Sequence, residues 1–299
     1  MSRTAGQASS GIPSPLLLAS NPVLESGARI MSILVTLTTD FGTRDSYVAQ
    51  LKGAILSRAP GAVLVDVTHE IAPHDIAAAA VVLRDLPRAF PAGTIHLAVV
   101  DPGVGSARRL VAFEAGGQRF VGPDNGLWSA VSRKYPPARV HLIENRALWN
   151  SEVAPTFHGR DVMAPVVAHL VNGGDLADVG AVAATPVVDL EEPVQRIGPR
   201  RATGTIAAID RFGNAITSIP VDRLDREWGE SRSTWVVTVG RMRIEGLHDC
   251  YADVAPGELV ALISSQGDLE IAVCEGNAAE ELGLTRGHPV SVEPGGESR

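Results

Sequence analysis

From Ile33 onward, short aliphatic and β-branched runs alternate with stretches whose apolar positions recur at helical spacing. Ile33–Thr38 reads as a buried strand running into Asp40-Phe41-Gly42, and Ser46 to Arg58 lines up Val48, Leu51, Ile55 and Leu56 on one helical face. Val63–Val67 is the next strand. Asp75 stands where an N-cap belongs, ahead of a helix from Ile76 to about Leu86. A turn at Pro91–Thr94 leads into the strand Ile95–Val100, and Leu110–Glu114 and Gln118–Val121 pair as a hairpin across Gly116-Gly117. A strand near Val140–Ile143 and a helix from Asp161, its expected N-cap, to Asn172 complete this region. The alternation predicts an α/β fold, with a mostly parallel sheet flanked by helices, over residues 31–190.

The pattern changes after Val188. Residues 191–203 are charged, carry Pro193 and Pro199, and read as a linker. Beyond them Thr205–Asp210, Ile216–Ile219, Trp235–Val239, Met242–Glu245, Leu259–Ile263 and Leu269–Val273 are short and closely spaced. They predict a smaller antiparallel, β-barrel-like domain over residues 204–295, with one short helix at Ala278–Leu282. Residues 1–30 are rich in Ser, Gly, Ala and Pro, and their only apolar patch, Leu16–Leu18, is too short for a secretory signal. That stretch reads as a disordered extension, with Met31 as an alternative start.

Composition narrows the partners. Of 299 residues, 34 are acidic and 26 basic, giving a net charge of −8 where a nucleic-acid binder carries a basic face. The two cysteines, Cys250 and Cys274, form no CxxC pair, which excludes a disulfide framework or a thiolate zinc site. The longest apolar run, Ile76–Leu83, is far short of a bilayer span. These features point to a cytoplasmic protein acting on a small molecule, without a nucleic-acid or membrane partner.

Three polar clusters follow expected strands: Asp40; Asp101-Pro102-Gly103-Val104-Gly105; and Pro123-Asp124-Asn125-Gly126. In open α/β sheets ligands bind beyond the carboxyl ends of strands, so the three read as one crevice, or else as turn and cap residues. Gly103 to Arg108 falls one residue short of GxGxxG and lies outside a first βαβ unit, which removes the dinucleotide reading. Its two glycines and Pro102 instead make a rigid turn that aims Asp101 and Arg108 together. His158, in Thr156-Phe157-His158-Gly159-Arg160-Asp161, reads either as a functional imidazole or as a loop histidine. Asp66, His69, His74 and Asp75 lack a ligand spacing and read as a local hydrogen-bonding and capping set rather than a metal site.

Taken in order, Thr38-Thr39-Asp40-Phe41-Gly42, Asp66-Val67-Thr68-His69, Asp101 to Gly105, Pro123 to Gly126, Thr156 to Asp161 and Asp210-Arg211-Phe212-Gly213-Asn214 resemble the S-adenosyl-L-methionine hydroxide adenosyltransferase family, relatives of the fluorinases and chlorinases. The resemblance runs from Ile33 to Val292. It implies an α/β domain joined to a β-barrel-like domain, assembled as a homotrimer with active sites between subunits. It implies hydrolysis of S-adenosyl-L-methionine to adenosine and L-methionine, with no cofactor and no metal. The family's Asp–Arg–His set falls on Asp101, Arg108 and His158, and Asp40 falls where the ribose hydroxyls are held. Asn214, Ser265, Glu270 and Ala278 fall where adenine and the methionine part are contacted, with Asp210 toward the amino group. The halogenases resemble this chain but carry Tyr at the position of His158, and the fluorinase an inserted loop that the short Asp101–Pro123 interval cannot hold. Both departures favour water over halide.

The chemistry expected of this set is nucleophilic substitution at C5′. A sulfonium leaves as a neutral thioether and needs no general acid, whereas water is a weak nucleophile with a bulk pKa near 15.7. Arg108 is then expected to favour hydroxide character, and Asp101 and a neutral His158 to accept hydrogen bonds from the attacking water. Asp40 accepts from both ribose hydroxyls.

Overall fold

Two sheets form because the chain offers two kinds of apolar pattern in sequence. The computed structural model describes residues 32–190, 195–229 and 231–295, so the extension expected at 1–30 lies outside the described residues. The first half runs β1 (Leu34–Thr39), α1 (Tyr47–Leu56), β2 (Val63–Thr68), α2 (Ile76–Arg84), α3 (Leu86–Ala89), β3 (Ile95–Val99), β4 (Leu110–Ala115), β5 (Gln118–Pro123), α4 (Ser129–Lys134), β6 (Val140–Leu142) and α5 (Ala164–Val171). The strand order is β2-β1-β3-β5-β4-β6. The β2–β1, β1–β3 and β3–β5 pairs are parallel, and β4 alone runs against its neighbours β5 and β6.

The helices divide between the two faces. Leu51 and Ile55 of α1 join Val166, Val167 and Leu170 of α5 against Val35, Leu37, Leu97 and Val121. On the other face Ala79 and Leu83 of α2 pack with Trp128, Phe113 and Phe120. β1 thus leads through α1 to β2 on one side, while β3 lies on its other side, reached by way of α2. Strand order reverses between β1 and β3, and in such sheets a ligand crevice opens beyond the strand ends at that point.

The expected N-cap at Asp161 is not what begins the last helix of this half. Gly159–Met163 forms a π-helical turn, in which Ala164 N donates to Gly159 O. Pro165 has no N–H to offer the Asp161 carbonyl, four residues back, so that carbonyl accepts from Asn150 N at 2.9 Å instead. The Asp161 carboxylate is likewise engaged sideways, by Asn150 Nδ2 and Ala154 N at 2.9 Å each and by Arg160 Nε at 2.7 Å.

The second half comprises β7 (Arg196–Ile197), β8 (Ala202–Ile209), β9 (Ala215–Pro220), α6 (Val221–Trp228), β10 (Val236–Val239), β11 (Met242–Glu245), β12 (Leu259–Ile263), β13 (Asp268–Val273), α7 (Ala278–Leu282) and β14 (Pro289–Glu293). Its antiparallel order is β11-β10-β14-β8-β9-β13-β12, and the two edges meet where His248 N donates to Ala261 O at 2.8 Å, so the sheet is nearly closed. The expected linker is only partly irregular: residues 191–194 lie outside the described residues, and Arg196–Ile197 pairs with β8. Helix α2 ties the halves together. Its N-cap Asp75 accepts from Ala78 N and pairs with Arg286, and Arg84 Nη2 meets Asp268 Oδ2 at 2.5 Å.

Candidate active site

Three chain segments converge beyond β1 and β3. After β3, Val104 N returns to Asp101 O at 3.1 Å and Ser106 N to Gly103 O at 3.0 Å, two successive turns that swing Arg108 back over Asp101. Arg108 Nε then donates to both Asp101 oxygens at 2.6 and 2.8 Å, and its Nη2 to Oδ2. Gly105 has φ +82°, and a Cβ there would stand 2.9 Å from Pro155 O, so this turn seats directly on the segment bearing His158. The ring nitrogen Nδ1 of His158 lies 3.3 Å from both Nη1 and Nη2 of Arg108. Asp101, Arg108 and His158 are therefore brought together; the turn reading expected the first two to meet, and the resemblance placed the third with them.

That contact fixes the tautomer. A guanidinium only donates, so Nδ1 accepts and the remaining proton sits on Nε2. Burial and then the Arg108 charge hold His158 below its ordinary value, against the opposing pull of Asp101 and Asp161. The imidazole is neutral and presents an N–H. With Nδ1 occupied, the group His158 has left to offer is the Nε2–H, a donor where an acceptor was expected. Arg108, paired directly with Asp101, contributes a fixed ion pair rather than a free positive charge.

Asp101 and His158 open onto a cavity of about 570 Å³ that is also lined by Asp40, Phe41, Tyr47, Gln50, Pro73, His74, Phe157 and Arg160. Asp40 accepts from His74 N at 2.9 Å and lines the same cavity. His74 reaches it from a left-handed backbone, φ +69°, a conformation that costs a non-glycine residue on the order of 1 kcal/mol and clusters at functional sites. His74, Tyr47 and Gln50 are lining residues that the sequence reading passed over, and only the Pro73-His74-Asp75 turn gave any signal of one. The third strand-end cluster does not join the crevice. Asp124 accepts from Val188 N at 2.7 Å and pairs with Arg109, while Asn125 Nδ2 donates to Val100 O at 2.9 Å. That motif pins the segment around Val188 to the sheet, because a buried carboxylate is retained only where its charge is met. Nor do Asp66, His69, His74 and Asp75 converge as ligands: Asp66 meets Lys52 at 2.6 Å and Asp75 caps α2. Among the described residues no group of three or more His, Cys, Asp or Glu side chains is placed to hold a metal ion.

The second half carries its own cluster. Asp210 Oδ1 accepts from Phe212 N and Asn214 N at 2.9 Å each, and Asn214 Nδ2 donates to Asp210 Oδ2 at 3.1 Å. Tyr251 links Asn214 to Glu270, its hydroxyl donating to Glu270 Oε1 at 2.6 Å. Burial raises the Glu270 carboxyl and Asp210 adds to it, against the Tyr251 hydrogen bond. Ala278 is buried at the start of α7, next to Ala279, whose N–H takes Gly213 O at 2.9 Å. Ser265 is exposed in the β12–β13 turn and shares no hydrogen bond with this cluster among the described residues. Tyr251 had no sequence signal, being a lone aromatic in an irregular stretch. None of Asp210, Asn214, Ser265, Glu270 or Ala278 lines the cavity that holds Asp101.

This arrangement matches known proteins along nearly the whole described chain. Residues 35–180 fit the SAM hydroxide adenosyltransferase N-terminal domain and residues 204–291 its C-terminal domain. An (R)-S-adenosyl-L-methionine hydrolase of Salinispora tropica is 38% identical over 87% of this chain and 98% of its own, and one of Thermus thermophilus is 38% identical over 86% and 98%. A fluorinase of Actinoplanes sp. is 30% identical over 87% and 97%. A crystal structure of an uncharacterized conserved protein from Thermotoga maritima superposes with a TM-score of 0.81 at 35% identity, covering 87% of this chain and 99% of that one. The chain belongs to the SAM hydroxide adenosyltransferase family.

Proposed function

We propose that this protein hydrolyses S-adenosyl-L-methionine, water attacking C5′ to give adenosine and L-methionine. The observation that carries the reading is the meeting of Asp101, Arg108 and His158, the first and last of which line one cavity together with Asp40. The relatives named hydrolases, at 34 to 38% identity, support it over the fluorinases at 28 to 30%. Their name specifies an (R) form; with the α-carbon already given as L, the descriptor belongs to the sulfonium, and that epimer is the substrate we assign here.

The attacking water sits between an acceptor and a donor. Asp101 accepts one of its protons, and the Nε2–H of His158 donates to one of its lone pairs, leaving the other aligned with C5′. As the O–C5′ bond forms and the C5′–S bond breaks, the electron pair goes to sulfur and the departing proton moves onto Asp101, then to solvent. Arg108 holds both groups in place through three contacts from two N–H groups to the carboxylate and a contact to the ring, so positioning is its main contribution, on the order of several kcal/mol. Asp40 takes the ribose diol. Because Asp210, Asn214 and Glu270 stand outside this cavity beside the exposed Phe212, the adenine and methionine part are held by the second half of another copy in a homotrimer.

The test is product analysis with each sulfonium epimer in ¹⁸O-water containing chloride. Adenosine labelled at its 5′-oxygen, formed faster from the (R) epimer, is the expected result. A 5′-halogenated nucleoside, or binding without turnover, overturns the reading.

A further inference from the structure

Asp40 is exposed enough to meet a ligand, so something else must hold the turn that carries it. Residues 66–74 do this from behind. The parallel pairing of β1 with β2 slips by one residue after Leu37–Asp66, so that Thr38 pairs with Thr68. Such a bulge re-aims the side chains that follow it. Here the result is that His69, whose side chain is only 4% exposed, points under Thr39. Its Nδ1 lies 2.8 Å from Thr39 Oγ1, and its carbonyl accepts from Gly42 N at 2.7 Å. Thr39 Oγ1 accepts in turn from Phe41 N at 3.2 Å. Gly42 closes the turn at φ +65°, and Thr43 Oγ1 reaches Glu70 Oε1 at 3.2 Å. Asp40 is thus flanked on both sides by residues anchored to one short segment, and its own Oδ2 is met by His74 from that same segment.

The Asp66 carboxylate can only accept, and it faces Nε2, so the ring proton lies on Nε2 and Nδ1 accepts the Thr39 hydroxyl proton, while Thr39 Oγ1 accepts from Phe41 N–H. Nε2 stands 3.0 Å from Asp66 Oδ1, off the line of its N–H bond, and Asp66 is itself neutralised by Lys52 at 2.6 Å. The chain of contacts runs from a surface ion pair, through a buried ring, to the backbone of the cavity's carboxylate. It touches neither Asp101 nor Arg108.

We propose that His69 is a positioning residue for substrate recognition: acting through Thr39, it sets the carboxylate of Asp40 where it discriminates a ribose diol from a deoxy sugar. This rests on the reading of Asp40 given above. The two ligands that isolate it are adenosine and 2′,3′-dideoxyadenosine, neutral molecules that differ only in the diol, titrated calorimetrically into the full-length protein. The parent is expected to prefer adenosine by about tenfold, the size of a hydrogen bond to a charged acceptor. His69→Ala and the isosteric Thr39→Val are each expected to lose most of that preference by weakening adenosine alone. His69→Asn, whose side-chain oxygen takes the place of Nδ1, is expected to restore it. Equal weakening of both ligands in Thr39→Val, or an unchanged preference in either Thr39→Val or His69→Ala, overturns the proposal. Asp40→Asn separates the two levels: a parent preference that survives Asp40→Asn, or no parent preference, overturns the reading of Asp40 itself. A preference lost in Asp40→Asn but kept in the His69 and Thr39 variants overturns the positioning role alone.

Discussion

An imidazole wedged against a guanidinium holds a second proton poorly, and that single fact organises the chemistry at the residue scale. His158 accepts from Arg108 through Nδ1, and burial and the neighbouring cation both keep the ring neutral. Removing the cation while leaving Asp101 in place shifts the balance upward against the remaining burial, because a lone carboxylate favours the imidazolium. Ring titration by NMR is therefore expected to place His158 below the ordinary value of 6.5 in the parent and to move it upward in Arg108→Gln; a downward or absent shift counts against the assigned contact. Asp101 and Arg108 were legible beforehand because Pro102, Gly103 and Gly105 leave the turn between them few directions; His158 was legible only through the resemblance. The donor role of His158 was not legible, since a tautomer depends on which neighbour occupies the other nitrogen. Asp124 misled for a related reason: a carboxylate at a strand end looks alike whether it faces a ligand or, as here, Val188 N and Arg109.

At the scale of elements, periodicity found what periodicity can carry. The β4–β5 hairpin, β11, β12 and α7 fall where the pattern put them. Helix α6 was missed although Val221, Leu224 and Trp228 recur at helical spacing, because five of its eight residues are charged and its apolar face is only three residues deep. β14 was missed because its alternation, Val290-Ser291-Val292, is only three residues long between Pro289 and Glu293. The π-turn needed tertiary knowledge, since Pro165 removes a donor but only Asn150 shows where the freed carbonyl goes. One buried element carries a pH dependence of its own. His96 on β3 joins Thr36 of β1 at 2.7 Å to Gln118 of β5 at 2.5 Å, is fully buried, and is pushed down by that burial to about 4. The folded ring thus binds fewer protons than the unfolded one between about 6.5 and 4. Its contribution is complete above the upper value and is lost as pH falls toward the lower, in total about 3 kcal/mol. Denaturant unfolding at pH 7 and 4.5 is expected to show the parent losing about 2 to 3 kcal/mol more than His96→Asn over that interval. An equal loss in both proteins assigns the acid sensitivity elsewhere.

The whole molecule presents two chemical faces that a single copy keeps apart. The first half offers the Asp101–Arg108–His158 cluster and Asp40 on one cavity. The second offers Asp210, Asn214 and Glu270 with Phe212 exposed at 73% beside them, a large apolar ring that water covers poorly. In the proposed homotrimer such faces would join head to tail in a heterologous contact, and every site would take its two halves from different chains. That topology has an arithmetic consequence. Asp101→Asn spoils only the first half and Asn214→Ala only the second, so each homogeneous assembly is inactive. In assemblies mixed at random from equal amounts, a site is intact when its first half comes from the Asn214→Ala chain and its second from the Asp101→Asn chain, a chance of about one in four. Co-expression of the two variants is thus expected to recover about a quarter of parental turnover, with a mass in solution of three chains. Sites built within one chain would each contain a damaged half whatever the mixture, and no activity would return.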